Sequence, residues 1–264
     1  MTAPAASAPA VFDSPGIPLT RLIKVELRKL VDTRAGFALT ASIGAISAII
    51  AVVKLATGSN DPAGLNFGSF FQMMTIPMGI LLPILAILLV TSEWSQRGAL
   101  TTFTMEPRRE RIIIAKLAAT LIAGLGAIVV ALIFGAIGNL LAGLAYNDPA
   151  GSWEIPGSGL LNAVLLQVIG MLMGFAFAAL ILHTAGAIIA YFAVPTVMSL
   201  ISELIPWFRE NLTDWIDLGH AQIPLQEADA VTGGEWARIV VAVVIWVAIP
   251  LFFGINRVMR SEIK

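Results

Sequence analysis

Residues 112–144, IIIAKLAATLIAGLGAIVVALIFGAIGNLLAGL, form the longest apolar run of this chain, and Lys116 is the only charged residue within them. A transmembrane helix needs about 20 mainly apolar residues, so this run can cross a bilayer with a tilt, or break near Gly135, Gly138 and Asn139. The whole chain of 264 residues is 58% hydrophobic and 12% charged, whereas soluble domains carry about 25% charged residues. These proportions predict an all-α integral membrane protein.

Five further apolar runs flank this one, which predicts six transmembrane helices. The approximate ranges of the six runs are 37–57, 70–91, 112–144, 160–182, 185–206 and 238–256. Only His183 and Thr184 separate the fourth run from the fifth, which predicts a tight antiparallel hairpin. Gly170 and Gly174 form a GxxxG pattern that permits close helix approach. The approach could lie within one protomer or across a dimer, and the first is favoured.

The 16 Lys and Arg residues are unevenly distributed. If the chain crosses six times, thirteen of them fall on one side: five precede the first run, five lie between the second and third, and three follow the last. The other side receives Lys54, Arg209 and Arg238 together with most of the acidic residues. By the positive-inside rule, both termini are predicted to be cytoplasmic. We expect a multi-pass protein of the plasma (cytoplasmic) membrane.

Residues 1–18 are rich in Ala and Pro and lack the basic and apolar regions of a signal peptide, so we expect a disordered cytoplasmic tail. Residues 19–35 show apolar side chains at helical spacing with basic residues opposite. The apolar positions are Leu19, Leu22, Ile23, Leu27 and Leu30. This pattern predicts an amphipathic helix lying in the cytoplasmic interface of the membrane. The alternative is a simple basic anchor that fixes the topology.

Glu26 disturbs that amphipathic pattern because it falls at the edge of the apolar stripe. A carboxylate facing lipid is costly. We therefore expect Glu26 to pair with Lys29 or with a basic residue of the segment that follows the second run.

That segment, TSEWSQRGALTTFTMEPRRERIIIAKL from Thr91 to Leu117, is a charged region between two long apolar runs. Glu93 and Arg97 are four residues apart, a spacing that allows them to pair if the second helix continues. Gly98 loosens this helix, and Pro107 ends whatever precedes it.

The result is a predicted short helix just beneath the membrane, with Leu100 and Phe103 on its apolar face and Arg108 and Arg109 at a solvated rim. Its shape suits insertion into a groove on another protein. The alternative is an ordinary positively charged loop that only sets the topology.

The stretches VELRKLVDTRAG (25–36) and SEWSQRGALTTFTMEPRRERIIIAK (92–116), followed by a short turn between the fourth and fifth runs, resemble the permease subunits of the ABC-2 type transporter family. The resemblance covers nearly the whole chain from about Arg21 to Arg260, and it implies that residues 36–260 form a six-helix ABC-2 type transmembrane domain. In that family the N-terminal amphipathic helix and the segment between spans two and three contact a separate ATP-binding subunit. The second of these carries the coupling helix.

The resemblance implies a partner-binding surface and an assembly. The implied ATPase-coupling interface consists of Glu26, Lys29, Glu93, Arg97, Leu100, Phe103, Arg108 and Arg109. The implied partners are a cytoplasmic ABC ATPase, a second permease copy or close paralogue, and the lipid bilayer, with no nucleic acid. The region LIPWFRENLTDWIDLGHAQIPLQ (204–226) matches the place where the family has short extracellular helices that dip back toward the membrane.

The chain contains no GxxxxGK[ST] phosphate-binding loop. ATP and Mg²⁺ are therefore expected in the partner subunit, with no cofactor in this chain and no catalysis of its own. His183 and His220, the only histidines, fall on opposite sides of the predicted membrane, so they cannot form a paired metal site within one chain.

Four polar residues inside the apolar runs are candidates for a substrate path: Gln72, Asn139, Gln167 and Glu203. Polar groups within a membrane span often mark such paths, although Glu203 could equally snorkel to the interface. The function that the family resemblance implies is the permease subunit of an exporter for a drug, antibiotic, lipid or peptide. The alternative is a membrane scaffold or regulatory subunit that transports nothing itself.

Overall fold

The structure, a computed structural model, describes residues 17–58, 64–95, 108–146, 153–155, 157–227 and 230–261. Within these ranges the chain is helical and forms no β-strand. Six helices are long and apolar enough to cross a membrane. This architecture fits a multi-pass membrane protein and confirms the predicted number of spanning helices.

A helix of 14 residues, α1 (Leu19–Asp32), precedes the six long helices. The long helices are α2 (Arg34–Thr57), α3 (Phe67–Ser95), α4 (Arg109–Tyr146), α5 (Gly157–Ile181), α6 (Thr184–Leu204) and a last helix made of α10 (Gly233–Val243), a π-helical turn (Val244–Ala248) and α11 (Ile249–Arg260). Between α6 and α10 lie three short helices and a 3-10 turn: α7 (Pro206–Asn211), α8 (Thr213–Ile216), α9 (Leu218–Ala221) and Ile223–Leu225.

The longest helix, α4, is continuous over 38 residues. The predicted break near Gly135, Gly138 and Asn139 does not occur, because the two glycines serve close packing instead. A Cβ atom at Gly138 would lie 2.7 Å from the ring of Phe70, and one at Gly135 would lie 3.2 Å from the backbone nitrogen of Phe71. The absence of side chains here lets α3 approach α4.

The centre of the bundle is formed by α3 and α5. In each of them 56% of the apolar spanning stretch is buried inside the protein, compared with 6% in α6. α3 packs against α2, α4, α5 and α6, so it contacts protein on most of its circumference. One core cluster joins side chains of α3, α4 and α5, among them Phe71, Met74, Met78, Ile128, Ala131 and Met171.

The GxxxG glycines pack within this chain, as the favoured alternative predicted. A Cβ atom at Gly174 would lie 2.8 Å from the carbonyl oxygen of Pro83, and one at Gly170 would lie 3.5 Å from the Pro83 ring. On the other side of α5, a Cβ atom at Gly254 would lie 2.9 Å from Cβ of Ala179. α5 therefore lies tightly between α3 and α11.

The hairpin between α5 and α6 is as tight as the sequence predicts. Leu182 adopts a positive φ of 57°, and His183 caps α6 by accepting a hydrogen bond from the backbone N–H of Gly186 at 3.1 Å. The hydroxyl groups of Thr91 and Thr184 lie 2.8 Å apart, which ties the hairpin to the end of α3.

Hydrogen bonds attach the region between α6 and α10 to the long helices. The indole N–H of Trp246, in the π-helical turn, donates to the carbonyl oxygen of Ile216 at 2.5 Å. The amide of Gln72, in α3, donates to the carbonyl oxygen of Gln226 at 3.2 Å. Side chains of α9 and the 3-10 turn are buried against α5 and α10, so this region is part of the folded bundle.

Candidate functional site

Four charged side chains from three helices meet at one end of the bundle and form a closed ring, here called the charge quartet: Glu26 and Lys29 of α1, Glu93 of α3 and Lys116 of α4. The Lys29 ammonium lies 2.6 Å from a carboxylate oxygen of Glu26 and 2.6 Å from one of Glu93. The Lys116 ammonium lies 2.8 Å from the other Glu26 oxygen and 3.1 Å from Glu93. Each charge therefore has two partners of opposite sign.

The quartet is buried but electrically neutral. The exposed fractions of the side chains are 5% for Glu26, 6% for Lys116, 10% for Glu93 and 33% for Lys29. Removing charges from water costs several kcal/mol per ion unless good geometry and further hydrogen bonds compensate. With two carboxylates and two ammonium groups, the quartet supplies this compensation internally.

The Lys116 ammonium lies close to three oxygen atoms. Besides the two carboxylates, it donates to the carbonyl oxygen of Leu89 at 2.9 Å, one turn before Glu93 in α3. Its side chain is thereby fixed to α3 by one charged contact and one backbone contact. This arrangement explains how a single lysine is tolerated near the start of the longest apolar run.

Lys29 is the member of the quartet that reaches water. Its partial burial alone would lower its pKa, but the adjacent Glu26 and Glu93 carboxylates outweigh burial and raise the pKa above its usual value. The protonated form of Lys29 is therefore stabilised in the folded protein.

α1 lies against the bundle, and its apolar residues Leu19, Leu22, Ile23 and Leu27 are half-buried. α1 packs against α4, α2 and α3, and its fully buried residues are Glu26 and Leu30. The expected partners of Glu26 are confirmed, since it pairs with both Lys29 and Lys116.

Glu93, by contrast, pairs with Lys29 and Lys116, and its predicted partner Arg97 lies outside the described residues. Leu100 and Phe103, the predicted apolar anchors, also lie outside them. Residue 96 is the first of this undescribed stretch and residue 107 the last, so Glu93 stands just before it and Lys116 shortly after it.

Two arginines bind backbone carbonyl groups at the same end of the bundle as the quartet. Arg109, the first residue of α4, donates to the carbonyl oxygens of Val258, Met259 and Ser261 at 3.1, 3.2 and 2.7 Å. Arg257 of α11 donates to the carbonyl oxygen of Leu180 at 2.5 Å. Since the last carbonyls of a helix lack partners within it and carry partial negative charge, these arginines cap α11 and α5.

The two arginines predicted to lie at a solvated rim differ in exposure. Arg108 is exposed. Arg109 is half-buried, because its guanidinium is held at the C-terminal end of α11. A guanidinium can donate to several carbonyls at once, a role that the local sequence does not reveal.

The candidate path residues do not form a single lining. The Gln167 amide, buried on α5, donates to the carbonyl oxygen of Thr75 at 3.1 Å. The Thr75 hydroxyl donates to the carbonyl oxygen of Gln72 at 2.7 Å. These contacts connect Gln167 with Gln72, whose side chain is exposed on α3. Asn139 is fully buried in α4, and Glu203 is exposed in the last turn of α6.

Among the described residues no group of three His, Cys, Asp or Glu side chains could hold a metal ion. His183 caps α6. His220 lies 3.5 Å from Asp214, which also pairs with Arg238 at 2.8 Å. His183 therefore has a capping role, and His220 belongs to a group of charged residues around Asp214.

Comparison with known proteins gives no assignment. The chain matches no protein-family model and no curated protein.

Proposed function

We propose that this chain is the transmembrane subunit of an ATP-driven exporter of the ABC-2 type. It pairs with a second permease copy or close paralogue and with cytoplasmic ATPase subunits that hold ATP and Mg²⁺. The observation that carries the proposal is the charge quartet, because it joins the N-terminal helix to both sides of the segment that the family resemblance identifies as the coupling segment.

The quartet gives such a segment firm ends. A segment that transmits force from a partner protein must be attached to helices that move with it. Glu93 precedes residues 96–107 and Lys116 follows them, and both are held to Glu26 of α1 directly or through Lys29. A displacement of the segment would therefore move α1, α3 and α4 together.

The contacts at the ends of the helices support the proposed topology. The quartet, Arg109 and Arg257 bring the start of α4 and the ends of α3, α5 and α11 to one end of the bundle. The hydroxyl of Tyr146, at the end of α4, donates to the carbonyl oxygen of Leu55 at 2.5 Å at the other end. The end with the quartet carries most of the basic residues and is cytoplasmic by the positive-inside rule.

A second copy is part of the proposal because six helices are few for a complete pathway. Only 6% of the spanning stretch of α6 and 17% of that of α2 is buried within this chain. Their broad apolar faces suit contacts with lipid and with a second permease.

Topology is tested with single cysteines, which the native chain lacks. Cysteine at Ser59 or Ser152 should react with an impermeant maleimide in intact cells, and cysteine at Arg97 or Ser261 should be protected. Strong labelling at Arg97→Cys would overturn both the topology and the coupling segment.

Coupling is tested with Phe103→Ala, because one buried aromatic anchor can contribute about 2 kcal/mol or more to a small interface. The matched control is Phe37→Ala, since Phe37 is 62% exposed on α2. We expect the Phe103→Ala permease to insert in the membrane and dimerise normally. It should weaken ATPase co-purification or uncouple ATP hydrolysis from transport. If both variants retain the ATPase and transport at the wild-type rate, residues 91–117 only set the topology. A purified chain that never brings an ATPase with it would favour the scaffold alternative.

A further inference from the structure

One oxygen of the charge quartet differs from the other three. Each Glu26 oxygen accepts a hydrogen bond from one ammonium group, and Oε1 of Glu93 accepts one from Lys29 and lies 3.1 Å from the Lys116 ammonium. Oε2 of Glu93 receives no hydrogen bond from any residue that the structure describes. The Glu93 side chain is nine-tenths buried, and Oε2 keeps the capacity to accept a hydrogen bond from a small donor.

A small cavity adjoins this carboxylate. It lies between α3, α4, α5 and α11 and offers about 20 Å³ to the centre of a water-sized molecule. Its lining includes the charged Glu93 and Lys116 and the side chains of Val90, Trp94, Phe175 and Val258. A cavity needs roughly 10–15 Å³ by this measure to hold one water molecule.

We infer that this cavity is a binding site for a single ordered water molecule, which donates a hydrogen bond to Oε2 of Glu93. Lys116 donates hydrogen bonds to Glu26 and to the Leu89 carbonyl, and the Glu93 oxygen nearest its ammonium is Oε1. Water is the ligand class that fits, since the space holds about one water molecule and Oε2 can accept a hydrogen bond.

The bound water gives the quartet a property that a dry ion cluster lacks. The contact between Lys116 and Glu93, at 3.1 Å, is the longest of the four. When it lengthens, the water can reorient toward the carboxylate, and a bridging water is nearly as favourable as a direct hydrogen bond. The Glu93 carboxylate then keeps a donor while the other contacts of the quartet hold the surrounding helices in place. This inference rests on the geometry of the quartet and does not depend on the proposed transport function.

The test uses hydroxyl radicals generated from water by a short X-ray pulse, followed by mass spectrometry of the purified full chain in detergent. Such radicals react only with groups that they contact, so a buried side chain is labelled when a water lies beside it. Phe175 lines the cavity and is 1% exposed, whereas Phe70 is 0% exposed and does not line it. We expect Phe175 to be oxidised several-fold faster than Phe70.

Val258→Ile adds one methyl group to the cavity lining and should displace the water, reducing the oxidation of Phe175 to the rate of Phe70. The matched control is Val247→Ile, since Val247 is 2% exposed and lies in the π-helical turn away from the cavity; it should leave Phe175 oxidation unchanged. If Phe175 is as inert as Phe70 in the wild type, or if both valine variants change its rate equally, the inference is wrong. Because the readout is the labelling of one side chain, failure here leaves the transport proposal standing.

Discussion

Replacing Lys116 by Met removes one ammonium group from the charge quartet and keeps the length of the side chain. Glu26 and Glu93 are then left to share Lys29, and the buried cluster carries a net negative charge. The variant loses contacts of 2.8 Å to Glu26, 3.1 Å to Glu93 and 2.9 Å to the Leu89 carbonyl. Breaking a buried ion pair by removing one partner typically costs about 3–5 kcal/mol.

This loss is large enough to measure as a change in thermal stability. For chains of this size about 1 kcal/mol corresponds to roughly 2–4 °C in the unfolding midpoint, so Lys116→Met should unfold on the order of 10 °C below the wild type. The assay is thermal unfolding of the purified protein in a mild detergent at one fixed pH. Arg108→Met is the matched control because Arg108 is exposed in the same segment, and its midpoint should stay close to that of the wild type.

A double variant separates charge imbalance from lost packing. Glu26→Gln combined with Lys116→Met removes one charge of each sign and leaves the pair of Lys29 and Glu93, which lie 2.6 Å apart. Residues that interact directly show non-additive effects of about 0.5–3 kcal/mol, so the double variant should be more stable than the sum of the single losses predicts. Strict additivity, or a Lys116→Met midpoint equal to that of Arg108→Met, would refute the reasoning.

Three further predictions concern other parts of the bundle. The pKa of Lys29 is raised on folding, so protonated Lys29 stabilises the folded protein fully below about pH 10.4, and this contribution is lost as the pH rises through the higher folded-state pKa. The unfolding midpoints of wild type and Lys29→Met should therefore converge at high pH. A gap that stays constant with pH would contradict this. Gly174→Ala should destabilise because its Cβ meets the Pro83 carbonyl at 2.8 Å, whereas Gly79→Ala meets nothing within 4 Å and should be neutral or stabilising by about 0.5–1 kcal/mol; equal midpoints would exclude the close contact. His183→Ala removes the cap of α6 and should cost about 1 kcal/mol, with rescue by His183→Asn, and failure of the rescue would argue against capping.

The spanning helices could be predicted from the sequence because their signal is local. Each is a run of about 20 or more apolar residues, and the bilayer imposes that length whatever the neighbours are. The packing between helices could not be predicted in this way. Glycines such as Gly135 and Gly138 can either break a helix or allow a second helix to approach, and which of these occurs depends on Phe70 and Phe71, which lie in another helix.

The quartet could be predicted only in part. The position of Glu26 at the edge of an apolar stripe indicates that it needs a basic partner. The structure gives it two, Lys29 and Lys116, which are 3 and 90 residues away in sequence, and only the first is a local neighbour. For Glu93 the local spacing favoured Arg97, yet the structure directs Oε1 to Lys29 and Lys116. Lys116 itself indicates such a pairing, since a lone charge in a long apolar run is stable only beside a buried partner of opposite charge.

The quartet and the two capping arginines together connect α1, α3, α4, α5 and α11 at one end of the bundle. The quartet holds α1 to α3 and α4, Arg109 continues from α4 to the end of α11, and Arg257 continues from α11 to the end of α5. These contacts are directional and charge-assisted, whereas the middle of the bundle is held by apolar packing around Met74, Met78 and Met171. Methionine-rich apolar contacts adapt to small shifts, but charged contacts with fixed geometry do not. A rigid end joined to an adaptable middle is the mechanical arrangement that a force applied near residues 96–107 would require to reach the spanning helices.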